Sequence, residues 1–127
     1  MKEKLLSRFS KYISYATTSD ESSTTYPSTQ ALMDFADVMV EELKAIGMTE
    51  VGKDQYGYVT ALLPANTDAE APTFGFIAHL DTAPDMPGIA APRIIENYDG
   101  KDILLDAETQ TVLTLADFPE LAGYKGQ

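Results

Sequence analysis

The apolar residues of this chain change their spacing near Gly52, and this change constrains the fold more than any other feature. Before it, apolar residues recur with helical spacing, most clearly over residues 29–46, where an apolar stripe lies opposite a row of charged residues. Ser28 or Thr29 can cap such a helix at its start. Gly47 follows directly and suits the left-handed backbone that ends many helices. The pattern therefore predicts an amphipathic helix over residues 29–46.

A second helical stripe lies at the start of the chain. The apolar residues of 2–15 fall on one face at a period of 3.6 residues, which predicts another amphipathic helix. Residues 16–29 are rich in Ser and Thr, whose hydroxyls compete for backbone hydrogen bonds and favour a loop. Long loops in compact domains are often functional. We therefore expect two helices that are joined by a Ser/Thr-rich loop.

Strand patterns replace helical ones in the rest of the chain. Residues 73–80, TFGFIAHL, are called the apolar run below; they are bounded by Pro72 and by a turn cluster of Pro84, Pro87 and Gly88. A short continuous apolar segment of this kind predicts a strand buried on both faces of a sheet. Helices followed by strands indicate a layered α/β domain. Further strands are predicted at residues 48–51, 56–63, 93–96, 102–105 and 111–115.

Composition excludes several classes of function. The chain has 9 Lys and Arg against 20 Asp and Glu, a net charge of −11, which disfavours binding to nucleic acid or to anionic membrane surfaces. It has no Cys, which excludes disulfide scaffolds, thiolate zinc sites and cysteine nucleophiles. No segment has the length and apolarity of a membrane span or the pattern of a signal peptide. We therefore expect a soluble protein of the cytoplasm.

His79 is the only histidine, and it lies near the end of the apolar run. Asp81 follows two positions later, so in extended backbone the two side chains lie on the same face. Imidazole is a common zinc ligand, and a carboxylate can ligate the metal or orient a ligating imidazole. Ligands of open α/β sheets bind beyond the carboxyl ends of strands such as this one. A local ion pair without function is the alternative, and the spacing alone favours that interpretation.

The loop over residues 82–88 strengthens the metal-site interpretation. Proline restricts the backbone there, and rigid loops at strand ends often hold functional side chains. A plain surface turn is the alternative. Serine-hydrolase chemistry is disfavoured, because no Ser occurs in the sequence context of a hydrolase nucleophile.

The residues around His79 indicate a protein family more specifically than the His79–Asp81 spacing does. Residues 74–85, FGFIAHLDTAPD, closely resemble the bacterial tripeptide aminopeptidases, which are dinuclear zinc exopeptidases. The resemblance runs through essentially the whole chain. Its other matching segments are residues 5–9, 17–20, 27–30, 43–47 and 115–119.

The resemblance implies that residues 1–127 are the amino-terminal portion of a zinc-exopeptidase catalytic domain, an α/β fold with helices packed on a central mixed sheet. This portion is incomplete, because the lid or dimerisation domain and the remaining catalytic segments have no counterpart here. It also implies an aminopeptidase that releases the amino-terminal residue of tripeptides, with small peptides as partners and a homo-oligomer allowed. Since strands that should cover the apolar run are missing, we expect the run to have exposed edges and faces.

The resemblance further assigns two site residues. His79 matches a ligand of one of the two zinc ions. Asp81 matches a catalytic aspartate that hydrogen-bonds a metal-binding histidine, with a cis peptide bond between Asp81 and Thr82. Substrate-binding residues stay unassigned. Because most metal ligands and the general base lack counterparts, we expect the chain alone to be inactive; the alternative is a non-catalytic acidic α/β fragment that acts only through protein contacts.

Overall fold

The computed structural model describes residues 1–86 and 89–127. These residues form two compact units, Met1–Ala91 and Pro92–Gln127. None of the described helices is both long enough and apolar enough to cross a membrane. The elements are helices α1 (Lys2–Tyr12) and α2 (Gln30–Ala45), strands β1 (Thr49–Lys53), β2 (Val59–Leu62), β3 (Ile103–Asp106) and β4 (Thr111–Leu113), and a 3-10 helix (Pro119–Tyr124).

Helix α2 is defined by residues that begin and end it and is stabilised by its buried apolar face. Thr29 caps it, with its hydroxyl oxygen accepting a hydrogen bond from the backbone N–H of Leu32 at 3.4 Å. Beyond the last turn, Gly47 has a φ of +90°, the left-handed conformation expected from the sequence. The buried face carries Leu32, Phe35 and Ala36. The helix predicted over residues 29–46 is therefore confirmed, including its cap.

Helix α1 is held against α2 by aromatic contacts. The Tyr12 ring meets Phe35 edge-on, with centroids 5.9 Å apart, and the Tyr15 ring lies at 5.0 Å from the same side chain. No residue within α1 is itself buried. The helix ends at Tyr12, and Tyr15 belongs to the turn that follows it. The prediction of a helix is confirmed, although it ends three residues earlier than expected.

Glu42 joins the two helices electrostatically. Its Oε1 lies 3.0 Å from Arg8 Nε, and its Oε2 lies 2.7 Å from Lys11 Nζ. Hydrogen bonding to the Lys11 ammonium, supported by the Arg8 guanidinium, lowers the pKa of the Glu42 carboxyl. The pair of cations on α1 therefore favours the ionised acid on α2.

Strands β1 and β2 form an antiparallel hairpin beside α2. Thr49 pairs with Leu62 and Lys53 with Val59. The Asp54 carboxylate stabilises the connecting turn by accepting hydrogen bonds from two backbone N–H groups at 2.9 Å each. Lys53 Nζ lies 2.6 Å from Asp37 Oδ1, which ties the hairpin to α2. The strands predicted at residues 48–51 and 56–63 are thus present with shifted ends.

The second unit contains the other antiparallel hairpin. Ile103 of β3 pairs with Leu113 of β4. Tyr98 is buried, and its backbone is joined to the last residues by bonds from Gly126 N–H to Tyr98 O at 2.8 Å and from Tyr98 N–H to Gln127 O at 3.0 Å. The strands predicted at 102–105 and 111–115 are therefore confirmed. The 3-10 helix after them had no counterpart in the prediction.

The apolar run departs most from the prediction. It is not a strand, and it is exposed rather than buried, with the Phe76 and Ile77 side chains 98% and 101% accessible. The described residues provide no neighbouring strand for it, and an unpaired strand is not stable in water. The prediction of a buried strand is therefore wrong for this chain, whereas the expectation of exposed faces is confirmed.

Three further sequence predictions need correction or lie outside the described residues. Residues 93–96 are exposed and form no strand, because the described residues offer them no pairing partner. The described strands form two separate two-stranded antiparallel sheets, so the mixed α/β class is confirmed, but a central mixed sheet is not observed. Pro87 and Gly88 of the predicted turn lie outside the described residues.

We predict that Glu42→Gln makes the stability of the chain less sensitive to acid. The ordinary pKa of a glutamate is 4.5, and that of Glu42 in the folded chain lies below it. Its contribution is therefore complete above pH 4.5 and is lost as the pH falls through the lower folded-state pKa. Urea unfolding between pH 7 and 3 should show a small loss of stability at pH 7 and a shallower decline in acid. The control is Glu41→Gln, which removes a more exposed neighbouring carboxylate; an equal effect of both changes would contradict the assignment.

Candidate metal-binding site

The end of the apolar run is anchored to the loop between the helices. The backbone N–H of Thr82 donates to Thr17 O at 2.8 Å, and Ser19 N–H donates to Thr82 O at 3.1 Å, which makes a parallel bridge between Thr18 and Thr82. The Ser19 hydroxyl also donates to Thr82 O at 3.2 Å. Thr17 is buried. These bonds fix the backbone immediately after Asp81.

The structure brings the two sequence-predicted site residues together. His79 Nδ1 and Asp81 Oδ1 are 3.1 Å apart, with side chains that are 84% and 47% exposed. A carboxylate accepts hydrogen bonds only, so the shared proton lies on Nδ1. In the neutral ring, Nε2 then carries the lone pair. This is the arrangement in which a carboxylate orients a metal-ligating imidazole.

The peptide bond after Asp81 differs from what the resemblance implies. Among the described residues, the bond between Tyr26 and Pro27 is the cis peptide bond, and that between Asp81 and Thr82 is trans. A secondary amide strongly favours trans, and Thr82 makes its backbone bonds to the helix-connecting loop in that form. The expectation of a cis bond at Asp81–Thr82 is therefore wrong for this structure.

An open groove lies beside the His79–Asp81 pair. It has a volume of about 1090 Å³, and its walls come mainly from residues 56–61 and 76–81. Ser19, Tyr26 and Ser28 of the Ser/Thr-rich loop also line it. No sequence pattern predicts this groove, because the two segments that form its walls lie about twenty residues apart and share no motif.

The Ser/Thr-rich loop beside the groove is ordered by its own hydrogen bonds. Asp20 Oδ1 accepts from the Ser22 hydroxyl at 2.6 Å and from the Ser22 N–H at 2.9 Å. These bonds lower the pKa of the Asp20 carboxyl, the hydroxyl bond having the larger effect. Asp20 N–H in turn donates to the Ser28 hydroxyl at 3.0 Å. The predicted loop is thus confirmed, and the Asp20 carboxylate stabilises its turn at Ser22.

The described residues do not form a complete zinc site. A catalytic zinc ion generally has three protein ligands. No group of three or more His, Asp or Glu side chains with metal-binding geometry occurs within residues 1–86 and 89–127. His79 and Asp81 supply one imidazole and the carboxylate that orients it. The pair therefore fits part of a zinc site, and further ligands are required.

Comparison with known proteins shows which proteins have sequences similar to that of this chain. No protein-family model matches the chain. It is 56% identical to peptidase T of Geobacillus thermodenitrificans over 99% of its length, 54% identical to peptidase T of Caldanaerobacter subterraneus over 98%, and 49% identical to peptidase T of Halothermothrix orenii over 98%. The chain corresponds to a segment of peptidase T. The resemblance found in the sequence is thereby confirmed.

The match covers this chain far more completely than it covers its relatives. The chain spans 31% of the length of each of these peptidase T proteins. About two-thirds of peptidase T therefore lies outside the comparison. Any ligand or substrate contact located in that part has no counterpart among the residues described above.

We predict that Asp81→Asn changes the tautomer of His79. The carboxylate only accepts a hydrogen bond from Nδ1–H, whereas an amide can also donate one to an unprotonated Nδ1, so the population protonated at Nδ1 should fall. Nitrogen chemical shifts of the labelled imidazole at pH 8 measure this population directly. Asp85→Asn is the control, because Asp85 makes no hydrogen bond to His79 in the structure. Identical imidazole shifts in the wild type and Asp81→Asn would contradict the assigned contact.

Proposed function

We propose that this chain is the part of a peptidase T aminopeptidase that supplies His79 as a zinc ligand and Asp81 as the catalytic carboxylate that orients it. The complete enzyme would use two zinc ions, release the amino-terminal residue of tripeptides and work in the cytoplasm. The 3.1 Å contact between His79 Nδ1 and Asp81 Oδ1 carries this proposal. The identity to peptidase T proteins supports it.

The contact prepares the imidazole for a metal. Asp81 holds the proton on Nδ1, which directs the Nε2 lone pair away from the carboxylate and raises its basicity. The exposed ring leaves this nitrogen open to a ligand. The negative charge of the chain would also attract the cationic α-amine of a peptide substrate.

The chain alone is proposed to be inactive. His79 is its single histidine, and the described residues bring no third potential ligand to it. A water activated by zinc also requires a general base, which the resemblance places outside this sequence. The 127-residue chain should therefore bind zinc weakly and should not hydrolyse peptides by itself.

A non-catalytic acidic fragment that acts only through protein contacts is the second candidate. The exposure of the apolar run favours it, because an uncovered apolar surface is typical of a protein-interaction site. It predicts that His79 can be replaced without loss of function in any assembled protein. The aminopeptidase proposal predicts the opposite.

We predict that the chain becomes part of an active enzyme when it is joined to the rest of peptidase T. The test replaces the matched third of the Geobacillus thermodenitrificans protein with this chain and measures tripeptide hydrolysis with added zinc. The chimera should be active and the chain alone should not. In the chimera, His79→Ala should abolish activity, and Asp81→Asn should lower kcat about 10- to 100-fold because it removes the residue that orients the ligand.

Asp85→Asn is the matched control, since it changes a nearby exposed acid without altering the His79–Asp81 contact. Circular dichroism and bound zinc should be measured for every variant, so that misfolding is separated from loss of a ligand. Full activity of His79→Ala in a folded chimera would refute the proposed role of His79. Hydrolysis by the chain alone would refute its proposed inactivity.

A further inference from the structure

The Ser/Thr-rich loop holds Thr82 by two of its residues. Thr17 O accepts a hydrogen bond from the Thr82 N–H at 2.8 Å, and the Ser19 N–H donates to Thr82 O at 3.1 Å. In this parallel bridge Thr18 is the residue opposite Thr82. In extended backbone, the side chains of residues 17 and 19 lie on one face and that of Thr18 lies on the other.

The side chains of Thr17 and Ser19 both reach Thr82. The Ser19 hydroxyl donates to Thr82 O at 3.2 Å, so this carbonyl accepts two hydrogen bonds from one residue. The Thr17 hydroxyl lies 3.5 Å from the Thr82 hydroxyl. Thr17 is only 4% exposed, and a buried hydroxyl generally has a protein partner. The Thr18 side chain, by contrast, makes no hydrogen bond with any residue that the structure describes.

The loop that holds Thr82 is itself attached to the helical core. The Thr17 N–H donates to Tyr15 O at 3.0 Å, and the Tyr15 ring lies 5.0 Å from that of Phe35. Phe35 is buried on α2. A continuous series of contacts therefore connects the buried face of α2 with Thr82.

Thr82 transmits this restraint to Asp81 through their shared peptide bond. The bond is planar, so the hydrogen bond of the Thr82 N–H fixes the plane that contains the Asp81 Cα. The contact between His79 Nδ1 and Asp81 Oδ1, at 3.1 Å, lies near the long end of the usual range of about 2.7–3.2 Å. A displacement of Asp81 by about half an ångström would therefore break it.

The pair has no equivalent restraint on its amino-terminal side. Residues 73–81 make no backbone hydrogen bond to any part of the chain that the structure describes. The His79 side chain is 84% exposed, so packing does not hold the ring in place either. The geometry of the pair therefore depends on the contacts of Thr82.

We propose that Thr17 and Ser19 are positioning residues for the His79–Asp81 pair. Their side chains restrain Thr82, and Thr82 keeps the Asp81 carboxylate within hydrogen-bonding distance of His79 Nδ1. Removal of the two hydroxyls would loosen the carboxylate and change the tautomer of the imidazole. The consequence for zinc affinity rests on the proposed function, because it requires His79 to be a ligand.

The test measures the His79 tautomer in the 127-residue chain in buffer containing EDTA, from the nitrogen-15 chemical shifts of the imidazole at pH 8. We expect Ser19→Ala to lower the ratio of Nδ1-protonated to Nε2-protonated rings about 3-fold and Thr17→Val/Ser19→Ala to lower it about 10-fold, because hydrogen bonds of ordinary strength are lost. Ser19→Thr keeps the hydroxyl and should retain the wild-type ratio. Thr18→Val is the matched control, since it makes the same change at the neighbouring residue, whose side chain does not contact Thr82 through a hydrogen bond.

Circular dichroism of each variant separates misfolding from a local effect. If the double variant does not fold, Ser19→Ala alone decides the question. An unchanged ratio in folded Ser19→Ala overturns the proposal. An equal decrease in Thr18→Val overturns it too, because it would show a general loosening of the loop.

Zinc affinity in the chimera separates this inference from the proposed function. The Ser19→Ala chimera should bind zinc about 3-fold more weakly in competition with a chelator, because the carboxylate orients the ligating imidazole less well. A changed tautomer in the chain together with unchanged zinc affinity in the chimera would support the positioning roles of Thr17 and Ser19. The same result would refute the proposed role of the His79–Asp81 pair in metal binding.

Discussion

Two backbone hydrogen bonds at Thr82 hold the candidate site in place. They tie the residue after Asp81 to the loop that contains Thr17 and Ser19, and that loop is fixed between the two helices that pack through Phe35. Residues 73–78 make no backbone hydrogen bond to any residue that the structure describes. The position of the His79–Asp81 pair therefore depends on the backbone hydrogen bonds of Thr82, which lie on its carboxyl-terminal side.

The sequence predicts the structure well where the determinants are local. The cap at Thr29, the apolar face of α2 and the left-handed Gly47 lie within one continuous segment, and the helix forms there as expected. The nearness of His79 and Asp81 follows in the same way from a spacing of two residues in extended backbone.

Features that depend on distant residues could not be predicted. The bridge between Thr18 and Thr82 joins residues 64 positions apart, and neither has a local signal for it. The apolar run has the composition of a buried strand, yet burial requires neighbours that the described residues do not provide. Its composition is typical of a strand that other elements cover, whereas its exposure reflects the lack of a neighbouring strand among the described residues. The described residues likewise bring fewer side chains to His79 than the three ligands that a catalytic zinc ion generally has.

The central claim is that His79 binds a metal through Nε2 while Asp81 holds Nδ1. The most direct test substitutes cadmium-113 for zinc in the chimera, with nitrogen-15 in its histidines, and measures the coupling between the metal and each nitrogen of His79. We expect coupling to Nε2 and a retained proton on Nδ1. Coupling to Nδ1, or no coupling to either nitrogen in a folded chimera that contains cadmium, would contradict the claim.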